Sequence, residues 1–124
     1  MGEINGGWKL ITSQLNVERL SLFTHGQVDS LFQDVAKWAA TTEAAKGGKV
    51  IEQPWVQQNL AKVKTGLEAL KIMCWKQAWS MDQGPLDMAK ASTDTVYGSE
   101  FFVELYRLLL EVMGTGGTVA AGSP

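Results

Sequence analysis

The sequence has one cysteine, few prolines and no large excess of charge of either sign. With one cysteine among 124 residues, no disulfide can close within the chain, and Cys74 either indicates a reducing compartment or carries no information about it. The balance of 11 Lys plus Arg against 13 Asp plus Glu excludes the strongly basic surface that nucleic-acid phosphates require. No apolar run approaches the roughly 18 residues of a membrane span, and Met1–Trp8 lacks the features of a signal peptide. We therefore expect a cytoplasmic protein that binds neither nucleic acid nor membrane.

Helix-breaking residues are confined to a few places. The 3 prolines are scarce and the 13 glycines cluster at the ends and junctions, with long uninterrupted stretches between them. Breakers placed in this way are typical of few, long helices. The length fits a single domain, because domains are typically about 100–150 residues. We assign residues 1–124 to one all-α domain.

Three stretches carry helical periodicity. The first runs from Trp8 to Thr42 and contains Gly26 within its pattern. The second begins near Pro54 and carries a heptad-like seam, the strongest periodic signal in the chain. The third starts at Leu86, after a turn signal, and ends at Gly114. The apolar positions are Val28, Leu31, Phe32, Val35, Trp38 and Ala39 in the first stretch, Val56, Leu60, Val63, Leu67, Leu70 and Cys74 in the second, and Met88, Thr95, Phe102, Leu105, Leu109 and Val112 in the third.

These stretches predict an antiparallel up-down bundle. Helices of roughly 27–35 residues span about 40–50 Å each, and helices of that length with short connections cross near 20°. Three helices leave one side of the seam open, so we expect a truncated domain whose fourth helix comes from beyond Pro124 or from another chain. Trp75 and Trp79 lie one turn apart beside the seam and are candidates for a surface that meets another subunit or domain.

One carboxylate lies within an otherwise apolar stretch. Glu18 directly precedes Arg19 within Leu15–Leu20. If Trp8 to Thr42 forms one helix, Glu18 sits about 100° from the centre of the apolar stripe, on the shoulder of the buried face. A carboxylate partly removed from water has the raised proton affinity of a general base. The alternative is a solvated boundary residue.

A metal site is not expected beside this carboxylate. His25 and Asp29 follow Glu18 on nearly the same side of the predicted helix. Metal-binding helices use tighter spacings with ligands from a second helix, and the other two stretches offer no matching His or inward carboxylate pair. We predict a polar edge.

Glycines cluster where the third helix ends. The segment Glu111–Gly117 contains Gly114, Gly116 and Gly117. Backbone without side chains lets phosphates or a flat cofactor approach closely. The segment lacks the preceding strand and the glycine spacing of a dinucleotide loop, so a flexible helix end is the alternative.

Five segments match a known set of motifs in the same order. They are Gly2–Trp8, matching G-E-x-N-G-G-W; Leu15–Leu20, containing L-x-x-E-R; Gln53–Val56 with Leu60–Ala61, resembling a helix start; Tyr97–Glu100, resembling the end of K-x-Y-G-S-E; and Glu111–Gly117, resembling Q-x-x-G-G-x-G. Together they resemble the C-terminal helical domain of the acyl-CoA dehydrogenases. The resemblance covers the whole chain, and its order is more specific than any single motif.

The resemblance implies an enzyme that oxidises acyl-CoA thioesters to trans-2-enoyl-CoA. In that family a carboxylate removes the α proton while the β hydrogen leaves as hydride to FAD, which electron-transfer flavoprotein or a similar acceptor reoxidises. Most members place the base in a loop after the third helix, but a minority place it where Glu18 stands. Glu18 would then be the base and Arg19 an orienting neighbour. Gly114, Gly116 and Gly117 would contact the FAD of a neighbouring subunit.

The chain also departs from the family's pattern. The usual R-x-x-F-G before the second helix corresponds here to Glu43, Lys46 and Gly47, so the arginine that pairs with the flavin diphosphate is missing. A carboxylate near a diphosphate is electrostatically unfavourable. The other substitutions are Thr95 for Lys, Glu111 for Gln and Thr115 for Gly.

These departures, with Leu67–Lys71 and the Trp75–Lys76 pair, resemble the actinobacterial dehydrogenases that act on steroid side-chain thioesters. That resemblance implies an α2β2 tetramer in which unlike subunits share flavin sites, with a homotetramer as the alternative. FAD would be held mainly by other domains or by a partner, and residues 1–124 alone would be inactive. The rival hypothesis is a non-catalytic helical module for subunit assembly.

Overall fold

The computed structural model describes residues 4–21, 24–84, 87–119 and 122. Within them lie four α-helices: α1 at Gly7–Ser21, α2 at His25–Thr41, α3 at Pro54–Gln83 and α4 at Met88–Met113. Short 3-10 turns occupy Val50–Glu52 and Gly114–Thr118. The all-α prediction is confirmed.

The single long helix predicted from Trp8 to Thr42 is wrong. The structure divides that stretch into α1 and α2, with Leu22 and Phe23 outside the described residues. Thr24 has the extended backbone of an N-cap (φ −102°, ψ 140°), so α2 starts afresh at His25. The break occurs where Gly26 lowers local helix propensity by about 1 kcal/mol relative to Ala.

The boundaries of the other two helices follow local signals. Pro54 occupies the first turn of α3, where its missing N–H needs no helical partner. The carboxylate of Asp87 caps α4 by accepting a hydrogen bond of 3.0 Å from the Ala89 N–H. Gly114 ends α4 with a φ of +57°, which glycine adopts without a Cβ clash. The prediction that α4 ends at Gly114 is confirmed.

The core lies between α2, α3 and α4, and the predicted periodic faces supply most of it. Met88 is an exception, because its side chain is 41% exposed. The side chains of the core cluster are Val28, Phe32, Val35 and Ala39 from α2, Val56, Leu60, Val63 and Leu67 from α3, and Leu105, Leu108, Leu109 and Val112 from α4. No described side chain of α1 belongs to this cluster, and α1 instead packs against α4.

A close approach joins the middle of α3 to α4. Gly66 lies under the ring of Phe101, and a Cβ at that position would overlap the ring. Tyr97 stacks on Phe101 with 5.8 Å between ring centroids, and its hydroxyl donates a 3.2 Å hydrogen bond to the Gly66 carbonyl.

Within the described residues, no helix has the length and apolar character needed to cross a bilayer.

Candidate functional site

Glu18 lies near the C-terminal end of α1 and is exposed. The expectation that it sits half-buried on the shoulder of the core is therefore wrong for this chain. The expected angle relied on one continuous helix, and the break before α2 removes the fixed rotation between Glu18 and the apolar stripe. Arg19 is within α1, but its side chain lies outside the described ones.

An apolar track leads along α1 to Glu18. Trp8, Ile11 and Leu15 precede it at steps of three, four and three residues, which places all four on one side of the helix. These apolar side chains are 78%, 46% and 45% exposed, respectively. The track therefore offers an uncovered apolar surface that ends at a carboxylate. The heptad spacing of these residues can be read from the sequence.

The glycine segment forms a 3-10 turn at the far end of α4. A Cβ at Gly114 or Gly116 would meet no atom within 4 Å, so the backbone there is open. Gly117 differs, because its Cβ would lie 2.9 Å from a methyl carbon of Leu110. The backbone at Gly114 and Gly116 leaves room for a flat group to approach closely, whereas Gly117 packs against Leu110.

A carboxylate network lies beside this turn. Glu111 accepts a 3.0 Å hydrogen bond from the side-chain amide of Asn59, which is only 8% exposed. Glu111 also pairs with Arg107, whose guanidinium donates hydrogen bonds of 2.7 and 2.8 Å to Glu104. The hydrogen bond from Arg107 holds the pKa of Glu104 below its ordinary value. Arg107 is thus shared between two carboxylates.

The loop between α2 and α3 is similarly neutralised. Glu43 and Lys49 form an isolated antiparallel bridge and an ion pair. Glu43 stands where the resembled pattern has the arginine that pairs with the flavin diphosphate. At this end of the bundle, Arg107 and Lys49 are therefore both paired with carboxylates of the chain.

The predicted tryptophan surface is exposed on α3. Trp75 and Trp79 are 60% and 65% exposed, and Ile72 continues the same apolar strip. The Lys71 ammonium lies 4.9 Å from the centre of the Trp75 ring. Whether another subunit covers this strip stays a prediction.

In the described part of the chain, no three His, Cys, Asp or Glu residues are grouped as metal ligands would be.

Comparison with known proteins identifies the family. Residues 5–124 match the model for the acyl-CoA dehydrogenase C-terminal domain. The chain belongs to the acyl-CoA dehydrogenase family. It is 43% identical to acyl-CoA dehydrogenase FadE26 of Mycobacterium tuberculosis, covering 100% of this chain and 32% of that protein. It is 30% identical to FadE29 of the same organism, covering 97% and 30% of the two chains.

Solved structures of the family share the fold. A chain in the ChsE4-ChsE5 complex from M. tuberculosis superposes with a TM-score of 0.86 at 44% identity, covering 99% of this chain and 32% of that one. A chain of the Tcur3481-Tcur3483 steroid ACAD gives 0.84 at 38% identity, covering 99% and 31%. The chain thus spans about a third of the length of the relatives it matches.

Proposed function

We propose that this chain is the C-terminal domain of an FAD-dependent acyl-CoA dehydrogenase subunit, and that the subunit dehydrogenates a bulky acyl-CoA thioester between its α and β carbons. Membership of the family supports the reaction class. The name of one structural neighbour, a steroid ACAD, supports a steroid side chain as the acyl group. The proposal concerns a longer protein, because the matched relatives are about three times the length of this chain.

Glu18 is the proposed base, and the apolar track on α1 is the observation that carries its assignment. An acyl chain lying against Trp8, Ile11 and Leu15 would bring its thioester end towards the carboxylate. Covering that surface with substrate removes water from Glu18, which strengthens its affinity for the α proton. In the uncovered chain Glu18 is exposed, so its shielding must come from substrate and from the rest of the enzyme.

The flavin site is proposed to be shared with an unlike subunit. When bound, FAD accepts the β hydrogen as hydride. Gly114 and Gly116 provide open backbone for contact with it, but Arg107 and Lys49 are engaged by carboxylates of this chain. The cations that face the diphosphate would then come from the partner. The paired names of both structural neighbours support such a mixed assembly.

The rival function is a non-catalytic assembly module. The exposure of Glu18 and of the Trp75–Trp79 strip favours it. The two proposals differ in one measurable respect. If this domain is only an assembly module, neutralising Glu18 does not lower the turnover of the full-length enzyme.

The deciding experiment is Glu18→Gln in the full-length enzyme with its partner subunit. We expect kcat to fall by about 10²–10⁴-fold, the usual contribution of a general base, with substrate binding retained. Glu18→Asp should keep part of the activity. Asp34→Asn, an equal change of charge at an exposed position on α2, is the matched control and should leave kcat unchanged. Equal rates for Glu18→Gln and the control would refute Glu18 as the base and leave either the rival function or a base in the loop that most family members use.

Flavin sharing is tested separately. The full-length subunit is prepared with and without its partner, and bound flavin is measured from its absorbance. We expect full occupancy only in the mixed assembly. Full occupancy and turnover by the subunit alone would refute sharing without affecting the role of Glu18.

A further inference from the structure

A cavity lies between the C-terminal half of α3 and the start of α4. Its volume is about 200 Å³, which is smaller than the roughly 300–1,000 Å³ of sites for drug-sized ligands. The cavity is at the opposite end of α4 from the glycine segment. Its walls are mainly apolar, and the residues that line it include Met73, Lys76, Gln77, Asp87, Lys90 and Asp94.

The four charged side chains of this lining do not all neutralise one another. Asp87 is engaged, because it accepts hydrogen bonds from the backbone N–H groups of Ala89 and Lys90 and pairs with the Lys90 ammonium at 3.3 Å. Lys76 on α3 acts on Asp94 on α4 only as a nearby charge. One wall of the cavity therefore presents a cation and the other a carboxylate, each without an ion pair to a described residue.

Burial leaves acceptor groups of this lining short of hydrogen-bond donors. Asp94 is half-buried, and burial raises its pKa above the ordinary value of a carboxyl group, an effect that Lys76 only partly opposes. Gln77 also lines the cavity, and its side-chain oxygen is buried without a donor among the described residues. A buried acceptor is costly until a donor reaches it. Both groups therefore favour a ligand that brings N–H donors.

We propose that this cavity binds a small zwitterion, a free amino acid with an apolar side chain, whose ammonium pairs with Asp94 and whose carboxylate pairs with Lys76. The apolar part of the ligand lies against Met73 and the other apolar surface of the lining. Ligand pockets commonly combine apolar walls with a few polar groups that fix orientation. The proposal does not depend on the roles proposed for Glu18 and for the glycine segment.

A ligand with a single charge complements the cavity less well. An organic anion would be attracted by Lys76 and repelled by Asp94, and an organic cation would be attracted by Asp94 and repelled by Lys76. A zwitterion meets an opposite charge on both walls. The cavity has the volume of about six or seven water molecules, which is enough for an amino acid of the size of leucine.

The test titrates the full-length enzyme with leucine and measures binding by calorimetry. Two analogues of leucine lack one charge each, because isocaproate has no ammonium and isopentylamine has no carboxylate. We expect leucine to bind with a Kd in the millimolar range or below. Each analogue should bind about 10-fold more weakly or worse, the usual effect of losing one hydrogen-bonded charged group.

Two substitutions test which wall holds which charge. Asp94→Asn should remove the preference for the ammonium, so that leucine and isocaproate bind almost equally. Lys76→Gln should remove the preference for the carboxylate, so that leucine and isopentylamine bind almost equally. The matched controls Asp34→Asn and Lys62→Gln make the same changes at exposed positions on α2 and α3 and should leave leucine binding unchanged. Circular dichroism verifies that each variant is folded.

Three results would overturn the proposal. The first is no leucine binding at millimolar concentrations, as expected of a cavity that holds only water. The second is an analogue that binds as tightly as leucine. The third is leucine binding that persists in Asp94→Asn and Lys76→Gln as it does in the controls, because the ligand would then bind elsewhere on the enzyme.

Discussion

Replacing Gly66 by alanine tests whether the contact between α3 and α4 is as close as the structure shows. Glycine in the middle of a helix costs about 1 kcal/mol relative to alanine, so an unconstrained site would gain stability from this change. Here, however, the new methyl group would lie 2.6 and 2.7 Å from two carbons of the Phe101 ring. That spacing is well inside van der Waals contact, and either the ring or the helices must move.

The expected result is the difference between two opposing effects. Overpacking of a well-filled core costs about 1–3 kcal/mol, and the gain in helix propensity offsets about 1 kcal/mol of it. Moving Phe101 also disturbs its stacking with Tyr97 and the hydrogen bond from Tyr97 to the Gly66 carbonyl. We expect a net loss of about 1–2 kcal/mol, and hence a fall of about 3–8 °C in Tm.

The assay is urea unfolding followed by circular dichroism at fixed protein concentration. Gly26→Ala is the matched control, because Gly26 lies in α2 and a Cβ there would meet no atom within 4 Å. It should be neutral or stabilising by up to about 1 kcal/mol. Phe101→Leu removes the ring atoms that the methyl group meets, so Gly66→Ala should cost less in that background. If Gly66→Ala stabilised the protein as Gly26→Ala does, the close packing of α3 on α4 would be wrong.

Two further predictions concern polar contacts of the described residues. Glu111→Ala leaves the amide of the buried Asn59 without its acceptor, so the free energy of unfolding should fall by about 1–3 kcal/mol. Glu111→Gln keeps an acceptor and should cost clearly less. Equal losses for the two variants in urea unfolding would contradict the contact. Asp87→Ala removes the cap of α4 and should lower Tm by less than Gly66→Ala does. Hydrogen bonds from the Lys90 backbone and side chain and from the Ala89 N–H hold the pKa of Asp87 below its ordinary value. The stabilisation is therefore full above the unfolded-state pKa of about 4 and is lost as pH falls through the lower folded-state pKa. A deficit that persisted undiminished at acidic pH would indicate another cause.

The sequence predicted the core better than it predicted the surface that carries the proposed chemistry. The steps of three and four along α3 placed Val56, Leu60, Val63 and Leu67 in the core, and the structure confirms them. Burial of a periodic face is decided by local spacing and the hydrophobic effect, both of which a sequence displays. The proline at the start of α3 and the glycine at the end of α4 were predictable for the same reason, since each acts within one turn.

The environment of Glu18 could not be predicted in that way. Its expected burial relied on a rotation carried over from Val28 to Glu18 through more than two turns of uninterrupted helix. Apolar residues continue up to Phe23, and the main local sign of the extended backbone at Thr24 was the low helix propensity of the nearby Gly26. One break removes the angular relation between the two segments, although each segment was correctly assigned as helical.

The packing of α1 determines how Glu18 is held. No described side chain of α1 joins the core cluster, and the helix is positioned by its contact with α4. The position of Glu18 therefore depends on α4 more than on the core. A substitution that shifts α4 should therefore impair turnover even where it touches no substrate, because a base must be held within hydrogen-bond reach of the proton it removes.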